Sequence, residues 1–356
     1  MKLVCAPMAT LSHEAFRCTV ERFGCCDEYF TEMIHAPSLL NGGPYERFYL
    51  QNGPVPQKIV WQLTGAHAEQ IAKAAAIVAE RGGIGVDVNM GCSAPQIYKT
   101  GAGIAWMSKP LHEVEALVRM IRATLKEHEA RTGEHKRLSV KCRLGVEGFS
   151  DTDFFSFADA LVENGVELIT LHPRTQKEKY RGLPRFAYVE QLSLRYQGMS
   201  GSGFPRIPIY LNGCISDVKS AQSALKIAPH AAGLMVARAA AQKPWIFAEL
   251  HATLFPASEN SAASCAVIDA FQLALDFIAD MERYQPPEFY RTRLQRFFSY
   301  YSQNFTFSHY FKTQLCNASS PDECRARLAE YFEKQPADRF IHVRFTNIVS
   351  ENHAIG

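Results

Sequence analysis

The stretch KIVWQLTGAHAEQIAKAAAIVAERGGIGVDVNM, residues 58–90, contains a complete strand–helix–strand unit. Two apolar runs, Lys58–Leu63 and Val86–Met90, have the length and β-branched content of strands buried on both faces. Between them, His67–Arg81 is rich in alanine and ends at Gly82–Gly83, which predicts a helix with a glycine stop. Strands and helices that alternate in this way are typical of an α/β fold.

The same unit recurs on both sides of this stretch. The other predicted strands are Lys2–Met8, Asp27–Met33, Leu138–Arg143, Leu168–His172, Ile207–Asn212 and Gly233–Val236. The other predicted helices here are Leu111–Glu127, Asp153–Asn164 and Ser216–Lys226, with N-caps at Asp151–Thr152 and Ser216. Eight strands alternating with helices over about 250 residues predict a (β/α)₈ TIM barrel. The alternative is an open doubly wound sheet, which favours an early GxGxxG turn that this chain lacks.

The composition changes after Phe255. The segment Pro256–Ser264 is small and polar, as in linkers. Beyond it, the predicted helices are Ala266–Tyr284, Pro287–Tyr301 and Pro321–Glu333. The sequence therefore predicts a catalytic barrel over 1–255, a linker over 256–264 and a smaller all-helical C-terminal domain over 265–356.

The overall composition is that of an ordinary soluble protein, with 47% hydrophobic and 21% charged residues. A net charge of +2 neither requires nor excludes a polyanionic partner. The ten cysteines are scattered, with no CxxC pair and no zinc-ligand spacing, so no metal site is expected. No apolar run is long enough to span a bilayer and no secretory signal is apparent, so the expected location is the cytoplasm.

Polar or ionisable residues stand at nearly every predicted strand end, which is where TIM barrels carry their chemistry. Taken singly, each has a structural explanation, because a lone strand-end Lys is usually solvated and a lone Cys is usually buried. Their common position on one rim indicates a functional site instead. The strand-end residues are Ala6-Pro7-Met8, Thr31-Glu32-Met33, Gln62, Asn89, Cys92, Lys141, Arg143, His172, Arg174, Asn212-Gly213 and Arg238.

The last two strand ends predict a phosphate site. Such barrels often bind phosphate after strands seven and eight through backbone N–H groups, and Gly213 and Ala237-Arg238 occupy these turns. Arg238 would add a charge-assisted contact. Together with Lys141, which would offset negative charge near N1 of a reduced ring, and Gln62, which would bond the ring's polar edge, this pattern fits flavin mononucleotide (FMN).

At these residues the chain resembles the tRNA-dihydrouridine synthases. The most specific stretches are GVDVNMGC, residues 85–92, and KTGAG, residues 99–103, which are similar to the family's signature around its catalytic cysteine. Further matches, spread over about residues 1–250, are Ala6-Pro7-Met8, Arg17, Thr31-Glu32-Met33, Gln62–Gly65, Val140–Gly145, His172–Thr175, Asn212-Gly213 and Pro244–Phe247. The chain departs from the family pattern at Ser93 (usually Pro), Cys214 (usually acidic), and Ala237 and Ala239 (usually Gly).

The resemblance implies reduction of the C5–C6 double bond of a uridine in tRNA. NADPH (or NADH) would reduce FMN, hydride would pass from flavin N5 to C6, and Cys92 would protonate C5 from the opposite face. The predicted cofactor-binding residues are Ala6, Pro7, Met8, Gln62, Lys141, His172, Asn212, Gly213, Ala237 and Arg238. The predicted substrate-binding residues are Asn89, Lys99, Arg143, Arg174, Arg291, Arg293 and Arg296.

The segment Tyr290–Tyr301 interleaves basic and aromatic residues in a predicted helix. Arg293 and Arg296 are three apart and are expected to share a face that contacts tRNA, whereas the aromatic residues are expected to form the core. Lys177, Lys179, Tyr180 and Arg181 would extend a basic rim.

Two rival functions remain open at this stage. One is a flavin barrel that reduces a free pyrimidine, as in dihydroorotate dehydrogenases, which the Arg-rich helical tail disfavours. The other is a tRNA-binding protein without catalytic activity, which the presence of Cys92, Lys141 and His172 disfavours. The chain is expected to be a monomer.

Overall fold

The computed structural model describes residues 1–198, 204–255 and 263–346. The chain forms two compact units, one comprising Met1–Arg17 and Asp27–Ala237, the other Cys18–Cys26 and the residues from Arg238 onward. Most of the predicted linker, residues 256–262, lies outside the described residues. The domain limits 1–255 and 265–356 therefore stay a prediction.

The first unit is built around a closed ring of eight parallel strands, as predicted. In chain order they are β1 Lys2–Cys5, β2 Glu28–Phe30, β3 Ile59–Thr64, β4 Gly85–Met90, β5 Arg137–Cys142, β6 Leu168–Leu171, β7 Ile209–Asn212 and β8 Gly233–Val236. Each strand pairs in parallel with the next, and β8 pairs with β1, which closes the barrel. A further two-residue strand, Ile34–His35, lies beside β3.

The apolar strand bodies explain the closure of the ring. One buried cluster contains side chains from five different strands: Val4, Phe30, Val60, Leu168 and Met235. Every residue of β3 and β4 is buried, as expected for strands covered on both faces. Nonpolar side chains fill part of the barrel, and buried polar residues of the strands, among them Gln62, Asp87 and Ser139, fill another part.

Helices and short 3₁₀ turns connect the strands. They are Glu14–Glu21, Ala36–Asn41, Glu46–Tyr49, Pro56–Lys58 (3₁₀), Ala68–Ala79, Pro95–Tyr98, Gly103–Ser108 (3₁₀), Leu111–Thr132, Asp151–Glu163, Ala187–Arg195 and Val218–Ile227. The predicted N-caps were each displaced by one residue, since the observed caps are Ser150 and Asp217. Both make reciprocal bonds with the third helical residue, an arrangement that leaves fewer backbone N–H groups unpaired.

The second unit is mainly helical, as predicted. Its helices are Arg238–Gln242, Ile246–Leu254, Ala270–Tyr284, Pro287–Tyr301, Ser302–Asn304 (3₁₀), Ser308–Cys316, Pro321–Lys334 and Pro336–Asp338 (3₁₀). The aromatic residues form its core, as expected; the rings of Phe277 and Phe297 stack with centroids 3.8 Å apart. No helix in the described ranges is long and apolar enough to cross a bilayer.

The helices Arg238–Gln242, Ile246–Leu254 and Ser308–Cys316 were not predicted. Nor was a two-stranded antiparallel sheet, formed by β9 Ala263–Asp269 and β10 Phe340–Thr346. The helix expected from Ala266 begins at Ala270 instead. Residues 266–269 pair with β10, and the Asp269 side chain accepts from the Gln272 N–H at 3.0 Å, which caps the helix.

Candidate active site

The ends of β3, β4 and β5 bring three predicted site residues together. Asn89 donates from Nδ2 to Oε1 of Gln62 at 2.9 Å, and it is the strand partner of Lys141. Gln62 donates from Nε2 to Oδ2 of Asp87 at 2.8 Å and is fully buried. Each end of the Gln62 amide thus makes one hydrogen bond, and the ring contact predicted for Gln62 stays a prediction.

Cys92 lies just beyond β4 and is partly exposed. Its N–H donates to Oδ1 of Asn89 at 2.9 Å, and the N–H of Gly91 donates to the same oxygen at 3.2 Å. Its carbonyl accepts from the N–H of Ile104 at 3.1 Å. Both peptide groups of Cys92 are thus held, and the thiol is presented at the rim of the barrel.

Gly103 allows the chain to pass close to Cys92. Its φ is +62°, and a Cβ there would lie 2.6 Å from the carbonyl oxygen of Cys92. We expect Gly103→Ala to lower the free energy of unfolding by about 1–3 kcal/mol, through backbone strain and this clash. Gly101→Ala is the matched control, because its φ is also positive but its Cβ would meet only Ala66, at 3.5 Å. Urea denaturation measures both; an equal or larger loss for Gly101→Ala would contradict the argument.

Lys141 is a partly buried cation that interacts electrostatically with Asp87. Within the described ranges its ammonium group makes no hydrogen bond or salt bridge. Burial, together with the nearby charge of Arg143, lowers the pKa of Lys141 to about 8. In contrast, burial raises the pKa of Asp87 to about 6, although hydrogen bonds from Gln62 and Ser139 oppose the shift. A negative group at the barrel mouth would therefore find Lys141 available to pair with it.

The loop after β6 is braced by Arg143 and Arg174, both of which are buried. Arg143 donates to the carbonyl of Lys179 at 3.0 Å. Arg174 donates to Nε2 of His172 at 2.9 Å and to Sγ of Cys214 at 3.1 Å. Because a guanidinium only donates, Nε2 of His172 is the acceptor. The two arginines thus support the loop, and the substrate contacts predicted for them stay a prediction.

The residues predicted to bind the flavin phosphate lie at the end of β7 and directly after β8. Asn212 donates to the carbonyl of Met235 at 2.8 Å and so links β7 to β8. Gly213 has φ +122°, and a Cβ there would lie 2.8 Å from the His172 ring. Ala237 is partly buried after β8, and Arg238 is exposed and begins its helix in the second unit.

The turn after β1 carries the predicted residues Ala6, Pro7 and Met8. Ala6 is buried, whereas Pro7 and Met8 are partly exposed. The Ser12 hydroxyl donates to the Ala6 carbonyl at 2.8 Å and accepts from the Met8 N–H at 2.9 Å. The Ser12 side chain therefore fixes the conformation of this turn at both Ala6 and Met8.

A surface cavity of about 320 Å³ lies next to the Cys92 loop. Its lining residues are Ser93, Pro95, Tyr98, Lys99, Glu147, Gln176, Lys177 and Lys179. Three lysines face one glutamate, and that glutamate pairs with Lys177 at 2.5 Å. In the described part of the chain, the ammonium groups of Lys99 and Lys179 form no hydrogen bond or ion pair, so the cleft is basic.

In the second unit, the prediction of one arginine face is wrong. Arg293 is only 2% exposed, and its guanidinium lies 4.6 Å from the Phe289 ring centroid. Arg291 and Arg296 are exposed. Arg293 lies within the apolar stripe formed by Leu294, Phe297 and Tyr301, and cannot offer its charge to a tRNA.

Sequence reasoning missed two residues that support the site, Asp87 and Ser139. Both are fully buried, and the Ser139 hydroxyl donates to Oδ1 of Asp87 at 2.7 Å. A signal was present for Asp87, because residues two apart on a strand point to the same face, and Asp87 stands two before Asn89.

The model of the dihydrouridine synthase (Dus) family matches residues 4–336. The chain belongs to this family. A mouse protein named tRNA-dihydrouridine(47) synthase [NAD(P)(+)]-like is 31% identical over 70% of this chain and 36% of its own length. Probable tRNA-dihydrouridine synthases from Rhodobacter capsulatus (30% identical, 70% of this chain, 71% of its own) and Helicobacter pylori (29%, 78% and 78%) are also similar. The chain thus spans about a third of the mouse relative's length and most of the two bacterial family members.

Proposed function

We propose that this chain is a cytoplasmic, flavin-dependent tRNA-dihydrouridine synthase that uses NADPH or NADH to reduce a uridine in tRNA. The observation that carries the proposal is a partly exposed Cys92 thiol at the barrel rim. On the neighbouring strand lies Lys141, whose ammonium group forms no hydrogen bond or salt bridge with the described residues. Membership of the family and the names of its relatives support it.

The residues at the barrel mouth fit FMN. The ammonium group of Lys141 suits the ring edge that gains negative charge on reduction. His172 and Asn212 lie at neighbouring strand ends, and the exposed guanidinium of Arg238, which follows β8, would add a charge-assisted contact to the phosphate. When bound, FMN supplies the hydride that adds to C6 of the uracil.

Cys92 completes the reduction by giving its thiol proton to C5. The S–H bond breaks as the C5–H bond forms, and a thiolate remains at position 92. Two cations, Lys141 and Arg143, lie close enough to Cys92 to interact with it electrostatically. Since Cys92 is partly exposed, water can return its proton before the next turnover.

The basic cleft beside Cys92 is proposed to hold the tRNA backbone. A uridine must turn out of a folded tRNA to reach a barrel mouth, at a cost of about a few kcal/mol, which contacts to phosphates offset. Lys99, Lys177 and Lys179 supply cations there, and Arg291 and Arg296 supply exposed cations in the helical unit.

Reversing charge in the cleft is expected to weaken tRNA binding. We expect the double variant Lys99→Glu/Lys179→Glu to bind tRNA about 10- to 100-fold less tightly at 0.1 M salt, with a shallower salt dependence, because two phosphate contacts are lost. Filter binding at several salt concentrations between 50 and 200 mM measures both the affinity and its salt dependence. This range is wide enough to detect the loss of about two phosphate contacts. Lys73→Glu, on the outer helix Ala68–Ala79, is the matched control and should bind normally. If the double variant and Lys73→Glu lost the same affinity for tRNA, the cleft would not be part of the tRNA-binding surface.

The function itself is tested by anaerobic reoxidation of the reduced, flavin-loaded protein. We expect unmodified tRNA to reoxidise the flavin and to acquire dihydrouridine, detected by mass spectrometry. Free uracil and orotate should react far more slowly. Reoxidation by a free pyrimidine as fast as by tRNA would show that the chain acts on a small substrate instead.

A further inference from the structure

A chain of hydrogen bonds runs from the barrel interior to the turn that carries Cys92. The Cys92 N–H donates to Asn89, Asn89 donates to Gln62 at 2.9 Å, and Gln62 donates to Asp87 at 2.8 Å. Asp87 and Gln62 are fully buried, and Asn89 is 7% exposed. All of these bonds point the same way, from the backbone N–H toward the carboxylate.

The carboxylate determines this direction. An ionised carboxylate accepts hydrogen bonds and cannot donate them, so Gln62 must turn its NH₂ group toward Asp87. The oxygen of Gln62 then faces Asn89, which must in turn present its own NH₂ group. Oδ1 of Asn89 is left for the backbone. Resting on the function proposed above, we propose that Asp87 is a positioning residue that, through Gln62 and Asn89, holds the turn presenting the Cys92 thiol.

The opposite arrangement would leave buried donors facing each other. If Gln62 were turned around, Asn89 would have to turn as well, and its NH₂ group would face the N–H groups of Gly91 and Cys92. Buried donors without acceptors are strongly disfavoured, so the turn would have to move. Ser139 bonds the other oxygen of Asp87, at 2.7 Å, and lies outside the chain of bonds that reaches Asn89.

The charges around Asp87 favour its ionised form at neutral pH, in which the carboxylate can only accept hydrogen bonds. Lys141 and Arg137 act on it from the neighbouring strand β5, and both lower the pKa of Asp87, which burial raises to about 6. Above that value the carboxylate is ionised. Below it, a protonated Asp87 can donate to Gln62, and the direction of the chain is no longer determined.

A charge exchange within the chain tests the proposal. Gln62→Glu sets a second carboxylate against Asp87, and no donor lies between them at a pH high enough to ionise both. Asp87→Asn alone is mild, since the new amide keeps an oxygen for Gln62 and offers its NH₂ group to the Ser139 hydroxyl. In the double variant Asp87→Asn/Gln62→Glu, the amide at 87 donates to the carboxylate at 62, whose other oxygen still accepts from Asn89. The direction at Asn89 is thereby restored with the original net charge.

Each protein is loaded with FMN and followed anaerobically by stopped flow, with thermal unfolding in parallel. We expect Gln62→Glu to slow reoxidation by saturating tRNA about tenfold or more per bound flavin, and the double variant to recover to within about threefold of wild type. Reduction by NADPH should change far less than reoxidation by tRNA. Cys142→Ala, the control, removes a buried side chain of β5 that lies outside the chain of bonds, and it should lower the unfolding midpoint without slowing reoxidation.

Three results separate the possible failures. If tRNA does not reoxidise the wild-type flavin, the proposed function is wrong. If wild type is reoxidised but the double variant is as slow as Gln62→Glu, or if both half-reactions fall together with the midpoint, Asp87 has no positioning role. Should Gln62→Glu fail to fold, Gln62→Met replaces it: this variant breaks both bonds without adding charge, and it should slow reoxidation by tRNA and gain nothing from Asp87→Asn.

Discussion

Cys92→Ala lowers the rate of dihydrouridine formation by about 10²- to 10⁴-fold, the usual contribution of a positioned general acid. FMN content, reduction by NADPH and tRNA affinity stay at wild-type levels, because the backbone of residue 92 is held by Asn89 and Ile104 and not by the thiol. Single-turnover reactions with mass spectrometry of the tRNA measure the product.

Cys142→Ala is the control for this experiment. Cys142 is the strand partner of Met90, close to the same turn, but burial raises the pKa of its thiol to about 12, so it cannot release a proton readily. The control variant should lose some stability through its cavity and keep its rate per folded molecule. If Cys92→Ala formed product at the wild-type rate, Cys92 would not be the proton donor.

Lys141→Met weakens the affinity for reduced FMN by about 10- to 100-fold, because a charged partner of the ring is lost. In the wild type this affinity falls as pH rises through about 8, where the free protein loses the Lys141 charge according to its pKa. The variant shows no such inflection. Fluorescence titration with FMN under reducing conditions, between pH 6.5 and 9.5, measures both effects.

The same variant is expected to stabilise the protein without flavin. Unfolded Lys141 holds its proton up to a pKa near 10.5, but folded Lys141 only to about 8, so the charge disfavours the folded state at neutral pH. Wild-type stability therefore rises with pH between these two values, and in Lys141→Met this rise disappears. Lys136→Met is the control at the other end of β5: it should destabilise, since Lys136 bonds Gly83 and Glu134, and leave flavin binding unchanged. Destabilisation by Lys141→Met would contradict the argument.

The barrel could be predicted because its strands are continuous apolar runs whose periodicity is local. β3 and β4 lie within one residue of the predicted runs 58–63 and 86–90. The β9–β10 sheet could not be predicted in this way, since Asp269 pairs with Phe340, 71 residues away, and nothing in ASCAVID favours a strand over the start of a helix. Long-range pairing overrode the local pattern there.

The site shows the same division between local and distant contacts. The rim positions of Cys92 and Lys141 follow from the strand ends alone. The contact between Gln62 and Asp87 depends on the register of β3 against β4, which no single segment contains. For the arginines, a spacing of three predicts neighbouring positions on a helix, but it does not say where the buried stripe ends. That edge falls between Arg293 and Arg296.

The loop around Cys92 fixes the position of residue 92 through its main chain, so this position does not depend on which side chain serves as the acid. Asn89 and Ile104 bond the main chain of residue 92, and in the described part of the protein its thiol makes no hydrogen bond. Side chains of different acidity can thus be placed at one fixed point, and unnatural thiols or selenocysteine would extend the range. A plot of log rate against the acidity of residue 92 would then give the Brønsted coefficient of the protonation step, and so the degree of proton transfer in its transition state.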